Sequence, residues 1–92
     1  SVKWLAWEAS RLLVRYFASL REQLGCDSEQ INSSATSVEQ LISELSQRGE
    51  LWQQLLADNN RLQIAVNQAI ARRNSPLQPE DEVAFFPPVT GG

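Results

Sequence analysis

The spacing of hydrophobic positions changes along the chain, and each change marks an element. Leu12-Leu13-Val14-Arg15-Tyr16-Phe17 is rich in β-formers and predicts a strand. Ser19, with Glu22 three residues on, reads as a capping box that opens a short helix. Leu20 and Leu24 share a face of it, and Gly25 is placed to end it in a left-handed conformation. A second strand is expected around residues 28–33, on the strength of Ile31 alone. Val38, Leu41, Ile42 and Leu45 then recur at helical spacing and form one apolar stripe. Ser37 with Gln40, or Thr36 with Glu39, supplies its cap, and Gly49 is expected to close it. A further short helix should turn Leu51, Trp52, Leu55 and Leu56 inward until Asp58-Asn59-Asn60 breaks it. After that the period becomes two. Leu62, Ile64 and Val66 predict a strand, Asn67-Gln68 a turn, and residues 69–72 a returning strand. Turn-formers at 74–76 and 78–81 precede a last strand, Glu82-Val83-Ala84-Phe85-Phe86.

This order, β, α, β, a long helical stretch, then β, β, β, predicts an α+β fold. About five strands form a mixed sheet wrapped on one main helix, with short extra helices. Residues 11–86 form the domain and residues 87–92 an extended tail. Residues 1–10 hold two of the three Trp and the only Lys, and match no pattern that the rest continues. They read as an extension, native or added, or as a short amphipathic segment packing Trp4 and Trp7 on the domain or a neighbour.

Composition narrows the chemistry. Ninety-two residues make one small domain, and 42% apolar content is too high for a disordered segment. The chain has no His and a single Cys. That removes His-based catalysis, Cys/His zinc sites, CxxC redox pairs and an internal disulfide. A net charge of −3 argues against nucleic acid as a partner. The chain has no apolar run long enough to span a bilayer and no signal-peptide pattern, so a cytoplasmic location without membrane partners is expected.

Few side chains suggest a self-contained active site. Glu80-Asp81-Glu82 before a strand reads as a solvated turn rather than an acid–base pair. Arg72-Arg73 reads as a solvated hairpin end, and Cys26, with no activating neighbour in sequence, as a passive thiol. The tail is different. Pro87 and Pro88 fix φ and favour a stiff, extended segment. Val89 and Thr90 offer a short grip, and Gly91-Gly92 lets bare backbone enter a narrow channel. What remains to react is the Gly92 carboxylate, which is inert in acyl transfer until another enzyme activates it.

The run Glu82-Val83-Ala84-Phe85-Phe86-Pro87-Pro88-Val89-Thr90-Gly91-Gly92 resembles the C-terminal signature of the small subunits of molybdopterin synthase. The resemblance extends over residues 12–92, through Val14-Arg15-Tyr16-Phe17-Ala18, Leu20-Arg21-Glu22, Ser37-Val38-Glu39-Gln40-Leu41, Ala65-Val66-Asn67-Gln68 and Pro76-Leu77. It implies a β-grasp, ubiquitin-like fold and a sulfur-carrier role. A ubiquitin-activating-like adenylyltransferase would consume ATP to adenylate Gly92, and a sulfur source would convert it to a thiocarboxylate. Threading of Pro87, Pro88, Val89, Thr90 and Gly91 into the large synthase subunit would then deliver sulfur to cyclic pyranopterin monophosphate. The family implies two copies of each subunit; no cofactor is expected on this chain, and a carboxylate-only metal site is possible but has no motif.

Alternation in the last strand puts Val83 and Phe85 on one face and Ala84 and Phe86 on the other. One Phe should be core and the other exposed. The resemblance selects Phe86 as the exposed one and Ile70 as its apolar neighbour, together a partner-binding surface. Two other carrier readings share the Gly-Gly ending: the sulfur carrier of thiamine thiazole synthesis, and a protein modifier joined to lysines. An interaction module with an inert tail is the reading from a different class.

Overall fold

Burial alternates along the first strand, β1 (Arg11–Tyr16): Leu12, Val14 and Tyr16 are buried, whereas Arg11 and Arg15 are exposed. The computed structural model describes residues 11–88. Helix α1 (Ser19–Leu24) and strand β2 (Ser28–Asn32) follow. Then come α2 (Val38–Ser46), α3 (Glu50–Trp52) running on into a π-helical turn (Gln53–Ala57), β3 (Gln63–Val66), β4 (Ala69–Ala71) and β5 (Glu82–Phe86). The five strands form one sheet in the order β2-β1-β5-β3-β4. Its central pair, β1 and β5, is parallel, and the other pairings are antiparallel. This is the mixed sheet of a β-grasp fold, and it places the last strand, hence the root of the tail, in the middle.

The α2 stripe supplies the core from the helical side. Val38, Leu41, Ile42 and Leu45 join Leu12, Val14, Tyr16, Ile64, Val83 and Phe85 in a single buried cluster. At the start of α2, the Ser37 hydroxyl accepts the Gln40 N–H at 3.2 Å, so the structure selects Ser37 over Thr36 as the cap. The Gln40 side chain reaches back to the Thr36 N–H at 2.8 Å.

Several local expectations are corrected. Ala18, not Ser19, is the N-cap of α1; its φ is 53° and no side chain caps the helix, so the capping box does not form. The backbone reverses one residue earlier than the sequence suggests, because the Phe17 N–H is held by the Phe85 carbonyl at 3.1 Å. Gly25 does end α1 in the left-handed region, with φ 69°. Helix α2 ends on Gln47 rather than at Gly49, which instead precedes α3. Leu51 is 45% exposed; only Leu56 of the expected inward set is fully buried, with Trp52 and Leu55 packed at the core's edge. Strand β4 stops at Ala71.

Asn67 and Gln68 link β3 to β4, and both have positive φ, 51° and 70°. That is the two-residue hairpin geometry that matches strand twist and favours Asn or Gly. Gln68 carries a Cβ into this region, so Gln68→Gly is expected to stabilise the domain by about 0.5–1 kcal/mol. Urea denaturation compares the two chains, and a destabilised glycine variant would contradict the strain argument.

A polar cluster ties the sheet to the segment after α2. The buried Tyr16 hydroxyl donates to Glu29 Oε2 at 2.8 Å. Arg48 donates to both Glu29 oxygens, at 2.7 and 3.1 Å, and lies 4.7 Å above the Trp52 ring. Burial, and secondarily the Glu29 bond, push the Tyr16 hydroxyl far above its ordinary range, so it remains a donor. Burial also pushes the Glu29 carboxyl up, but the bonds from Arg48 and Tyr16 and the Arg48 charge outweigh it and hold the group below its usual value. A depressed folded-state value means stabilisation that is present above the unfolded value of ~4.3 and lost as pH falls through the folded one. The pair is partly solvated, so Glu29→Gln should cost only about 1 kcal/mol at neutral pH. That deficit should shrink progressively as the pH of denaturation falls below the unfolded value of ~4.3; a deficit that stays constant as pH is lowered would refute the charge argument.

Candidate functional site: the outer sheet face at the root of the tail

The sheet face turned away from α2 carries the odd-numbered positions of β1 and β3 and the even-numbered positions of β4 and β5. Register places Ile70 opposite Ala65, Ala65 opposite Ala84, and Ala84 opposite Arg15, a single row across four strands. Phe86 lies two residues further along β5. With strands ~4.8 Å apart and ~3.4 Å per residue, Ile70 and Phe86 flank a shallow floor of two alanines. Ala84 is buried and Ala65 half-buried. Ile70 is 95% exposed, the most exposed large apolar side chain among the described residues.

The two phenylalanines separate as alternation requires. Phe85 is fully buried and stacks on Tyr16 with ring centres 6.1 Å apart. Phe86 is half-buried on the outer face, where it lies almost parallel to Phe17, 4.6 Å away at an interplanar angle of 8°. Arg15 sits 5.6 Å from the Phe17 ring centre, and its guanidinium also meets Glu82 at 3.3 Å. Phe17 was not among the expected site residues. Its signal was parity: it follows Leu13 and Arg15 on the outward face and lies one step beyond the Tyr16–Phe85 pair.

Pro87 and Pro88 leave β5 beside this ring pair and are half-buried. Val89, Thr90, Gly91 and Gly92, the remaining expected tail residues, lie outside the described residues, as do Trp4 and Trp7. The structure therefore brings Phe86, Ile70, Pro87 and Pro88 onto one region.

The other candidates are structural. Arg73 is no solvated hairpin end: it is half-buried and donates to the carbonyls of Leu56 and Asn59, at 2.8 and 2.7 Å, closing the π-helical turn. Asp81 accepts from the Asn67 side chain and the Gln78 N–H, both at 2.9 Å. Burial and the nearby Glu29 charge push the Cys26 thiol up, away from the reactive thiolate. Among the described residues no group of three or more His, Cys, Asp or Glu is placed to hold a metal ion, and no helix is long and apolar enough to cross a membrane. A concavity of about 600 Å³ lies between α2 and the π-helical turn. None of its lining residues comes from β1, β5 or the β3–β4 hairpin. What the outer face offers among the described residues is an exposed apolar surface beside Pro87 and Pro88.

Residues 14–92 match the ThiS family. The chain belongs to that family. A relative, the molybdopterin synthase sulfur carrier subunit of Escherichia coli, is 40% identical over 79 residues, covering 86% of this chain and 96% of the relative. The putative molybdopterin converting factor subunit 1 of Pyrococcus furiosus is similar in structure, with TM-score 0.70 and 31% identity over 86% of this chain and 98% of the other. A Helicobacter pylori chain, solved in a protein–protein complex of subunits 1 and 2 of molybdopterin-converting factor, superposes with TM-score 0.61 at 28% identity, covering 89% and 99% of the two chains. The ThiS-family match includes the tail through Gly92.

Proposed function

We propose that this chain is the sulfur-carrier subunit of a molybdopterin synthase, working in the cytoplasm. The observation that carries the reading is its near-full-length similarity to curated relatives that bear this name, at 38–40% identity. The outer face and the tail support it. Ile70 and Phe86 form an apolar docking surface for the large subunit, and a two-plus-two heterotetramer is the assembly we expect. From that surface, Pro87 and Pro88 direct Val89, Thr90 and Gly91 into the partner.

The chemistry resides in the Gly92 carboxylate. Its oxygen attacks the α-phosphorus of ATP, held by a ubiquitin-activating-like adenylyltransferase, and pyrophosphate leaves. Sulfide-level sulfur then attacks the acyl carbon and AMP leaves, giving the thiocarboxylate directly; where the donor is a persulfide, the acyl disulfide first formed is cleaved by a thiol reductant. That sulfur attacks cyclic pyranopterin monophosphate in a pocket supplied by the large subunit; water then cleaves the acyl C–S bond, which leaves the sulfur on the pterin and returns the Gly92 carboxylate. Two such deliveries complete a dithiolene. This chain supplies position and a nucleophile, and the partners supply ATP, sulfur and the pterin site.

Reconstitution tests the reading. Purified chain, activating enzyme, ATP, a sulfur donor, large subunit and pterin precursor should together yield dithiolene product, and omission of this chain should abolish it. A chain that is loaded with sulfur but cannot support product with a competent large subunit would refute the synthase assignment and leave a carrier for another acceptor.

A further inference from the structure

We infer that Asn67, through Asp81, is a positioning residue for the docking face: it fixes Ile70 relative to Phe86. The inference rests on the docking role of that face proposed above. Strand β4 is only three residues long, lies at the sheet edge and pairs with β3 alone. Ile70 is its middle residue. The pairing of β3 with β5 runs only to Val66 opposite Val83, one residue before the turn. Beyond that point Asn67 continues the connection. Its N–H donates to the Glu82 carbonyl at 2.7 Å. Its side-chain Oδ1 accepts the Glu82 N–H at 3.0 Å, replacing the ladder bond that the turning backbone cannot make. Its Nδ2 donates to Asp81 Oδ1 at 2.9 Å, while the other Asp81 oxygen accepts the Gln78 N–H. The tip of the hairpin that carries Ile70 is thus tied to the start of the strand that carries Phe86.

Asparagine suits this position for three separate reasons. It tolerates the observed φ of 51°, and it provides an acceptor and a donor at once. Glycine satisfies only the first. Aspartate satisfies the first two, but it loses the donor and sets a second carboxylate against Asp81.

The test is a double-substitution cycle read by affinity for the purified large subunit. Asn67→Asp should weaken binding about tenfold, and Asn67→Gly, which keeps the turn, by a similar factor. Asp81→Asn leaves one carbonyl oxygen to serve two donors and should cost a few-fold. The pair N67D/D81N restores all the side-chain bonds with donor and acceptor exchanged, since residue 67 then accepts from both Glu82 N–H and the new amide. Its affinity should return to within about threefold of the parent. Ser37→Ala, which removes the α2 cap far from this face, separates positioning from stability and should leave affinity unchanged. Unchanged affinity in Asn67→Asp and Asn67→Gly, or no rescue in the double variant, overturns the inference while the docking reading stands. Loss of affinity in Ser37→Ala equal to that in Asn67→Asp reduces the effect to stability and overturns it as well. An unsubstituted chain that does not bind the large subunit defeats the docking reading itself, and the positioning role falls with it.

Discussion

Removal of Gly92 is expected to abolish sulfur loading and leave the fold intact. The two effects separate because the described core is assembled from residues between Leu12 and Phe85. Loading requires a terminal carboxylate at the right reach, on backbone without a side chain. Shortening the chain by one residue offers Gly91 instead, withdrawn by ~3.5 Å, and a displacement of even ~1 Å can cost ~100-fold in a positioned reaction. Extension by one alanine moves the carboxylate outward and adds a Cβ, so it should fail as well. Circular dichroism and urea denaturation of both variants should match the parent, while thiocarboxylate formation falls to background. Loading that persists in the shortened chain would move the chemistry away from Gly92.

Replacement of Phe85 and of Phe86 by alanine should give opposite phenotypes, although the residues are neighbours. Phe85 is fully buried between Tyr16 and Ile64, so Phe85→Ala should cost about 3–5 kcal/mol of folding stability. For a domain whose total is roughly 5–15 kcal/mol, that is enough to leave a substantial unfolded fraction. Phe86 faces outward against Phe17, so Phe86→Ala should cost little stability but about 2–4 kcal/mol of affinity for the large subunit. Ile70→Ala should weaken binding in the same direction and by less, since a smaller apolar area is lost. Thermal denaturation and titration calorimetry on the same four chains decide the matter. Full affinity in a folded Phe86→Ala variant would dismiss the outer face as the interface.

Which of the two phenylalanines faces outward came from the family resemblance, but that they part was legible from sequence because a strand's two faces follow from a period of two. The α2 stripe and the order of elements were legible for the same reason: helical spacing at Val38, Leu41, Ile42 and Leu45 admits one buried face. What escaped detection depended on contacts distant in sequence. Nothing near Ser19 announces that the Phe85 carbonyl holds Phe17 and forces the turn at Ala18. Arg73 read as solvated because its acceptors, the carbonyls of Leu56 and Asn59, belong to another element. The Tyr16–Glu29–Arg48 cluster joins three segments, and Asp81 read as part of a charged turn until Asn67 was seen beside it. Local pattern identifies elements and faces, whereas the partners of polar groups emerge only when the elements are assembled.

The central claim is that Gly92 carries sulfur, and the intact mass of the chain tests it most directly. The chain should be isolated from cells that retain their own sulfur-activating system, with the activating enzyme confirmed present. The account predicts a population in which one terminal oxygen is replaced by sulfur, and its disappearance in the Gly92 deletion. A mass showing only the free carboxylate, under those conditions, would contradict it.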